Sequence, residues 1–255
     1  MLAKTLSATK YSLLSFRRNP AATFFTIGFP LLFLVLLGSI FGDEVTNSGA
    51  TVATFQVPAI LALSLVSATF VNIAMGQVFR REDGQLKRLR GTPMPPLAYI
   101  GGQLLASFAI VAFMTVLVIV LGRLLFGVVF NWSSLGIFAI SLLIGSLAFS
   151  ALGLAVTTII PNQDAAPAIT NALVFPLYFI SDVFIITDGD GGILSKIGSF
   201  FPVRPLVQSL QDSFNPFIDS VDVPWSKWAV VAAWGVFGVI IAAKFYRWTP
   251  QTERR

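Results

Sequence analysis

The 255 residues are 55% hydrophobic and only 11% charged, against ~25% charged in an ordinary soluble domain. The mean hydropathy is +0.81 and the net charge +5. The sequence holds no cysteine and no histidine, which excludes disulfides, zinc sites built on those ligands, thiol nucleophiles and histidine general bases. Its apolar runs are too long for barrel strands, so the class is an all-α integral membrane protein.

Residues 1–18 precede the first spanning run. Leu2, Leu6, Leu13 and Phe16 recur at near-helical spacing, with Lys4, Ser7 and Lys10 between them. This predicts an amphipathic helix lying in the membrane interface and closed by Arg17 and Arg18. The apolar run after Pro20 exceeds the ~7–15 residues of a signal-peptide core, which argues against a cleaved leader. Span one is placed at about residues 21–41, with a kink expected at Pro30. The loop carrying Asp43, Glu44, Asn47 and Gly49 has no Lys or Arg. Span two is placed at about 55–79 and contains Pro58, Asn72 and Gln77.

A basic island, residues 80–96, follows. It holds Arg80, Arg81, Lys87, Arg88 and Arg90, and charge at the bilayer centre is costly, so it lies at a membrane face. Within it, residues 82–90 are predicted to form a short helix with Leu86 and Leu89 on one side. Pro93, Pro95 and Pro96 stop that helix, and Pro95–Pro96 begin the next.

Span three is placed at about 97–125, span four at 135–160 and span five at 166–186. Asn131 and Trp132 mark the turn between three and four, and 161–164 the turn between four and five. Gly136, Gly145, Ser146, Ser150 and Gly153 in span four are expected to allow close helix packing. Pro167 and Pro176 interrupt span five. The long connection 187–224 has apolar stretches at 193–201 and 206–217, which predicts one or two short helices dipping into the interface. Its Asp188–Gly192 stretch reads as a tight turn, since an EF-hand would need further oxygen ligands. Span six, about 225–246, is flanked by Trp225 and Trp228 at one end and Tyr246 and Trp248 at the other.

The charges orient these six spans. The N-terminal segment, the island and the stretch after span six carry 13 of the 17 Lys and Arg residues. By the positive-inside rule both termini are predicted cytoplasmic. The basic residues cluster at span ends, so the net charge reads as topology and no nucleic-acid partner is expected.

The chain has no Gly-rich phosphate loop followed by Lys-Ser/Thr, and no stretch outside the spans long enough for a nucleotide-binding domain. Polar residues lie along spans two and five. Gln56, Ser67 and Asn72 on the one, and Asn171, Tyr178 and Asp182 on the other, are read either as interhelical hydrogen-bonding groups or as the lining of a translocation path. Arg123 and Asp182 fall at similar depth near the outer ends of their spans. Asp182 is expected to pair with Arg123 or Arg204, since a short carboxylate cannot snorkel as arginine does.

The segment Glu82-Asp83-Gly84-Gln85-Leu86-Lys87-Arg88-Leu89-Arg90-Gly91-Thr92-Pro93 resembles the one after the second span of ABC-2 type transporter permeases. The resemblance extends to the interfacial helix, the six spans and the long outer segment. The chain's size resembles permeases of the daunorubicin-exporter type. Arg90-Gly91 before Thr92 departs from the apolar residues common there.

The resemblance implies a dimer of permeases, of one copy or two paralogues, on two separate cytoplasmic ATPase subunits that bind ATP and Mg. It gives this chain no cofactor and no ATPase activity of its own. It implies a coupling site of Glu82, Asp83, Gly84, Leu86, Lys87, Arg88, Leu89 and Arg90, with Asn162 and Asp164 of the smaller turn. Leu86 and Leu89 would then bury against the ATPase, with Glu82 and Arg90 at the contact's edge. The expected function is export of a hydrophobic or amphiphilic small molecule across the cell membrane, in contact with membrane lipid, by one transmembrane domain spanning 1–255. The competing readings are a secondary transporter with a 3+3 inverted repeat and a permease for a polysaccharide or another lipid-linked substrate.

Overall fold

Apolar length sets the elements. The computed structural model describes residues 1–42, 44, 49, 51–181, 193–214 and 222–246. The described helices run α1 (Leu2–Arg17), α2 (Pro20–Phe41), α3 (Val52–Glu82), α4 (Gln85–Arg90), α5 (Pro96–Phe126), α6 (Leu135–Val156), α7 (Ala165–Phe179), α8 (Ile193–Phe200), α9 (Val203–Gln211) and α10 (Trp225–Phe245). Five of them, α2, α3, α5, α6 with its 3-10 lead, and α10, are long and apolar enough to cross a membrane. The sixth expected span is the shorter apolar helix α7, of 15 residues. It ends at Phe179, before the expected boundary. Pro176 supplies no N–H to the carbonyl one turn back, and the helix stops within a turn of it. Asp182 and the Asp188–Gly192 turn lie outside the described residues.

Helix α3 is the axis of the fold. Its most apolar window is 83% buried, against 22–44% for the other four spans. It runs continuously to Glu82, so Arg80, Arg81 and Glu82 ride on the span and not on the short helix that follows. A π turn at Ser67–Val71 interrupts its α register. There the backbone of Phe70 meets α6 at Gly153, where a Cβ would stand 2.8 Å from the Phe70 carbonyl oxygen. Helices α6 and α10 touch in the same way: a Cβ on Gly235 would stand 2.9 Å from Ala148 Cα, and one on Gly238 2.8 Å from Leu152 N. Of the small residues expected to admit close packing, Gly145 and Gly153 do so, while Gly136 faces open space.

The irregularity expected at Pro30 takes the form of a π turn at Phe24–Gly28, just before it, in an otherwise continuous α2. In α1, Ala8 is buried and meets α5 so closely that a Cβ on Gly102 would lie 2.4 Å from its own. Leu13 and Phe16 pack on the core, whereas Leu2 and Leu6 are exposed. Half of the expected apolar stripe is therefore exposed and half packs on the protein.

The second short helix before α10 is a core element and not an interfacial one. Val203, Leu206, Val207 and Leu210 of α9 are buried against α3, α6 and α10, and Leu206 covers Gly145. A buried cation is tolerable only when bonded. Arg204 meets that condition: its Nη1 donates to the Ser195 carbonyl, to Ser195 Oγ and, at 3.1 Å, to Ser199 Oγ of α8. Beyond α9, Lys227 Nζ lies 2.6 Å from Asp212 Oδ2, tying the start of α10 to the core.

Candidate functional site at the basic end of the spans

Helix α3 ends because Gly84 takes φ +69, a left-handed conformation that side chains resist. The Asp83 and Gly84 amides donate to the carbonyls of Phe79 and Arg81, at 2.9 and 3.1 Å. The chain then turns into α4, whose first bond runs from Arg88 N to Gly84 O at 3.1 Å. The short helix therefore begins at Gln85, three residues later than its sequence predicts.

This turn fixes which residues look outward. Lys87 and Arg88 are exposed. Leu86 is only 1% exposed. It turns inward toward Ala8 and Tyr11 of α1 and Met94 and Tyr99 at the start of α5. Leu89 is half-buried along the same hollow. Leu86 is thus already covered by its own chain, which corrects the expectation that it buries against a partner. Lys4 Nζ donates to the Pro93 carbonyl, so α1 also holds the exit of this loop.

The second turn comes to the same place. Gln163 Nε2 donates to Asp83 Oδ1 at 2.7 Å. Asn162 Oδ1 accepts from Ala165 N at 2.9 Å, bracing the turn that leads into α7. Asn162 and Asp164 are exposed beside it. Two segments 80 residues apart in sequence form one surface, with Lys87, Arg88, Asn162 and Asp164 on its outside.

Beneath the surface sits Arg81, 2% exposed. Its Nη1 and Nη2 donate to the carbonyls of Thr157 and Ile160, at 2.9 and 2.7 Å, and its Nε to Glu82 Oε1 at 2.8 Å. These carbonyls close the end of α6, where a helix leaves acceptors unsatisfied and favours positive charge. One guanidinium thereby pins α3 to α6. Glu82 is correspondingly drawn inward, its side chain 8% exposed, so it is not an outward contact.

One turn deeper, Gln77 Oε1 accepts from Tyr99 at 3.3 Å and from Tyr246 at 3.1 Å. Arg80 Nη1 donates to the Tyr99 oxygen at 3.4 Å. Just past α10, burial pushes the Tyr246 phenol above the ordinary tyrosine range, with Tyr99 adding to it and Arg80 and Arg81 opposing. It therefore remains a protonated donor to Gln77. The cluster joins α3, α5 and α10 beneath the same surface.

The polar residues of the two candidate path spans separate. Tyr178 of α7 donates to Leu63 O at 3.4 Å and bonds the side chain of Ser67 at the π turn of α3. Asn72 instead lines a cavity with α1 and α5. Gln56 is buried near the opposite end of α3, and Asn171 is half-buried on α7. Arg123 is exposed in the last turn of α5; its expected partner Asp182 lies outside the described residues.

Arg81 and Gln163 are the residues that sequence reasoning missed. The available signal was the end of span four: Thr157 to Ile160 runs into Pro161 without a capping glycine, so its carbonyls need donors from elsewhere.

The model of one protein family, described as ABC-2 type transporter, matches residues 4–215. No curated protein matches the chain.

Proposed function

We infer, because the chain belongs to the ABC-2 type transporter family, that it is the membrane subunit of an ATP-driven transporter and that its basic surface receives the ATPase. The observation that carries this is the joining of the two turns by Asp83 and Gln163 above a buried Arg81. A partner pressing there moves α3 and α6 together. In this reading Lys87 and Arg88 attract acidic groups on the ATPase, Asp83 and Gly84 shape the turn, Leu86 and Leu89 seat α4 on its own protein, and Asn162 and Asp164 make the smaller contact. ATP and Mg belong to the partner.

The test is direct. Lys87→Glu combined with Arg88→Glu is expected to leave the permease folded and inserted while abolishing co-purification of an ATPase and ATP-dependent transport. Both residues are exposed, so the loss of stability should be confined to the Arg88 bond to the Asp83 carbonyl, about 0.5–1.5 kcal/mol. Undiminished ATPase capture by the double variant would remove this surface from the contact.

The substrate reading is export of a hydrophobic or amphiphilic small molecule along the face shared by α3 and α7. Ser67, Asn171 and Tyr178 supply polar groups there, Gln56 stands farther along α3 toward its first turn, and a second copy of the chain closes the path. The exposed Leu173, Phe175 and Phe179 of α7 support an unfilled face at that place.

Both termini are proposed to be cytoplasmic, from the charge asymmetry. The chain's lack of cysteine gives a clean measurement. Cysteines at Glu44 and Trp132, both exposed, are expected to react with an impermeant thiol reagent added outside intact cells. One at Lys87 should react only after permeabilisation, and the reverse pattern would invert the orientation.

A further inference from the structure

A cavity of about 210 Å³ lies between α1, the start of α2, α3 and α5. Its polar walls are Ser12, Ser15, Asn19, Asn72, Gln103 and Ser107, and Arg80 stands at one side. Such a volume accommodates a group the size of several waters, at ~30 Å³ each.

Two features of the wall ask for a ligand. Gln103 is 6% exposed and its Nε2 has no hydrogen-bond partner; an orphaned buried donor costs ~1–3 kcal/mol, and a half-turn of the amide about its last bond brings that donor round to the cavity. Arg80 is half-buried, bonded to Tyr99 through Nη1, and among the described residues no carboxylate lies within ion-pair distance of it. Asp83 reaches the rim, but its two carboxylate oxygens accept from Gln163 and Gln85 at 2.7 and 3.3 Å. The cavity thus offers a guanidinium, an amide and several hydroxyls to an anion.

Its depth identifies the anion's source. Asn19 and Pro20 mark where the chain enters the first span, and Arg80 lies two residues before the end of α3. The cavity therefore sits at headgroup level, on the membrane face where the basic residues collect. A shallower hollow shares Ser15 and Asn19 with it and adds the exposed Arg18, Tyr11 and Leu14. With Arg18 beside it, Arg80 gives the two hollows together an excess of positive charge over the rim carboxylate of Asp83, and basic pockets between spans at this level suit anionic lipid headgroups.

We propose that this cavity holds the phosphate of an anionic phospholipid from the adjoining leaflet. Arg80 and Gln103 bind the phosphate oxygens, and the serines of α1 close over it. The lipid then serves as a wedge that fixes α1 against α3 and α5. This assignment does not depend on the chain's cargo or on its ATPase.

Gly76 supplies the decisive variant. It lines the cavity, and a Cβ added there meets nothing within 4 Å. Gly76→Leu fills the space without removing any of the polar groups that line it, and Gln103→Leu removes the orphaned amide. The purified chain in detergent is titrated with phosphatidylglycerol and with phosphatidylcholine by native mass spectrometry, and the thermal unfolding of each variant is recorded alongside. Wild type is expected to retain one phosphatidylglycerol per chain. Gln103→Leu should weaken binding about tenfold, the scale of one charge-assisted hydrogen bond; Gly76→Leu, which occupies the space, and phosphatidylcholine, which sets a choline cation beside Arg80, should each bind measurably more weakly than wild type with phosphatidylglycerol. Gly76→Ala adds a single methyl to the open space; should Gly76→Leu unfold early, it and Gln103→Leu carry the comparison. Equal retention by wild type and folded variants overturns the site. Equal binding of phosphatidylcholine, or displacement of the lipid by millimolar inorganic phosphate, overturns the anionic lipid as its occupant.

Discussion

Arg81→Met is expected to destabilise the protein by ~3–5 kcal/mol, the range for breaking a buried ion pair on one side only. The substitution strands Glu82, whose side chain is 8% exposed, and strips the donors from Thr157 O and Ile160 O. Arg81→Lys should recover little, because one ammonium cannot reproduce a fork that reaches two carbonyls and a carboxylate together. Arg81→Met with Glu82→Gln should recover the part due to the stranded charge, leaving the two carbonyls unsatisfied. Thermal unfolding of the purified variants measures all three. In membranes, any surviving Arg81→Met protein should bind an ATPase yet fail to drive transport, because α3 and α6 no longer move as one. Wild-type unfolding of Arg81→Met would remove the pin.

Leu86→Asp is expected to be lost at folding and not at partner binding. Truncating a buried leucine alone costs ~2–5 kcal/mol, and a carboxylate in the same place adds its desolvation. Leu86→Met, which conserves volume, should cost less than ~1.5 kcal/mol and keep transport. Yield and melting temperature of the purified permease distinguish the outcomes. A Leu86→Asp protein that melts like wild type but captures no ATPase would mean that Leu86 faces outward after all.

These two residues also mark how far the sequence could be read. Spans, their order and the basic end follow from apolar length and charge, which survive folding unchanged because the bilayer imposes them. Leu86 and Leu89 share a helix face, as their spacing requires, but spacing does not say whether the partner of that face is another protein or the same chain. Arg81 looks in one dimension like its neighbour Arg80: both are membrane-face cations. Only the arrival of Thr157 and Ile160 from 76 and 79 residues away separates the buried pin from the half-exposed one. The depth of α9 was hidden similarly, since Arg204 reads as an interfacial charge until Ser195 and Ser199 are seen to satisfy it.

The burial of α3 has a consequence for biosynthesis. Chains enter the membrane in order of synthesis, so α3 arrives when only α1 and α2 precede it, long before the α6, α9 and α10 that cover it. Ser64 and Thr69 bond their own helix at the carbonyls of Ile60 and Leu65, at 2.9 and 2.6 Å, and tolerate the wait. Gln77 has no such internal bond: its oxygen acquires one donor when Tyr99 emerges and the other only with Tyr246. An unfinished chain therefore displays a polar side chain that a finished one conceals, and the last of its partners to arrive stands just past the final span.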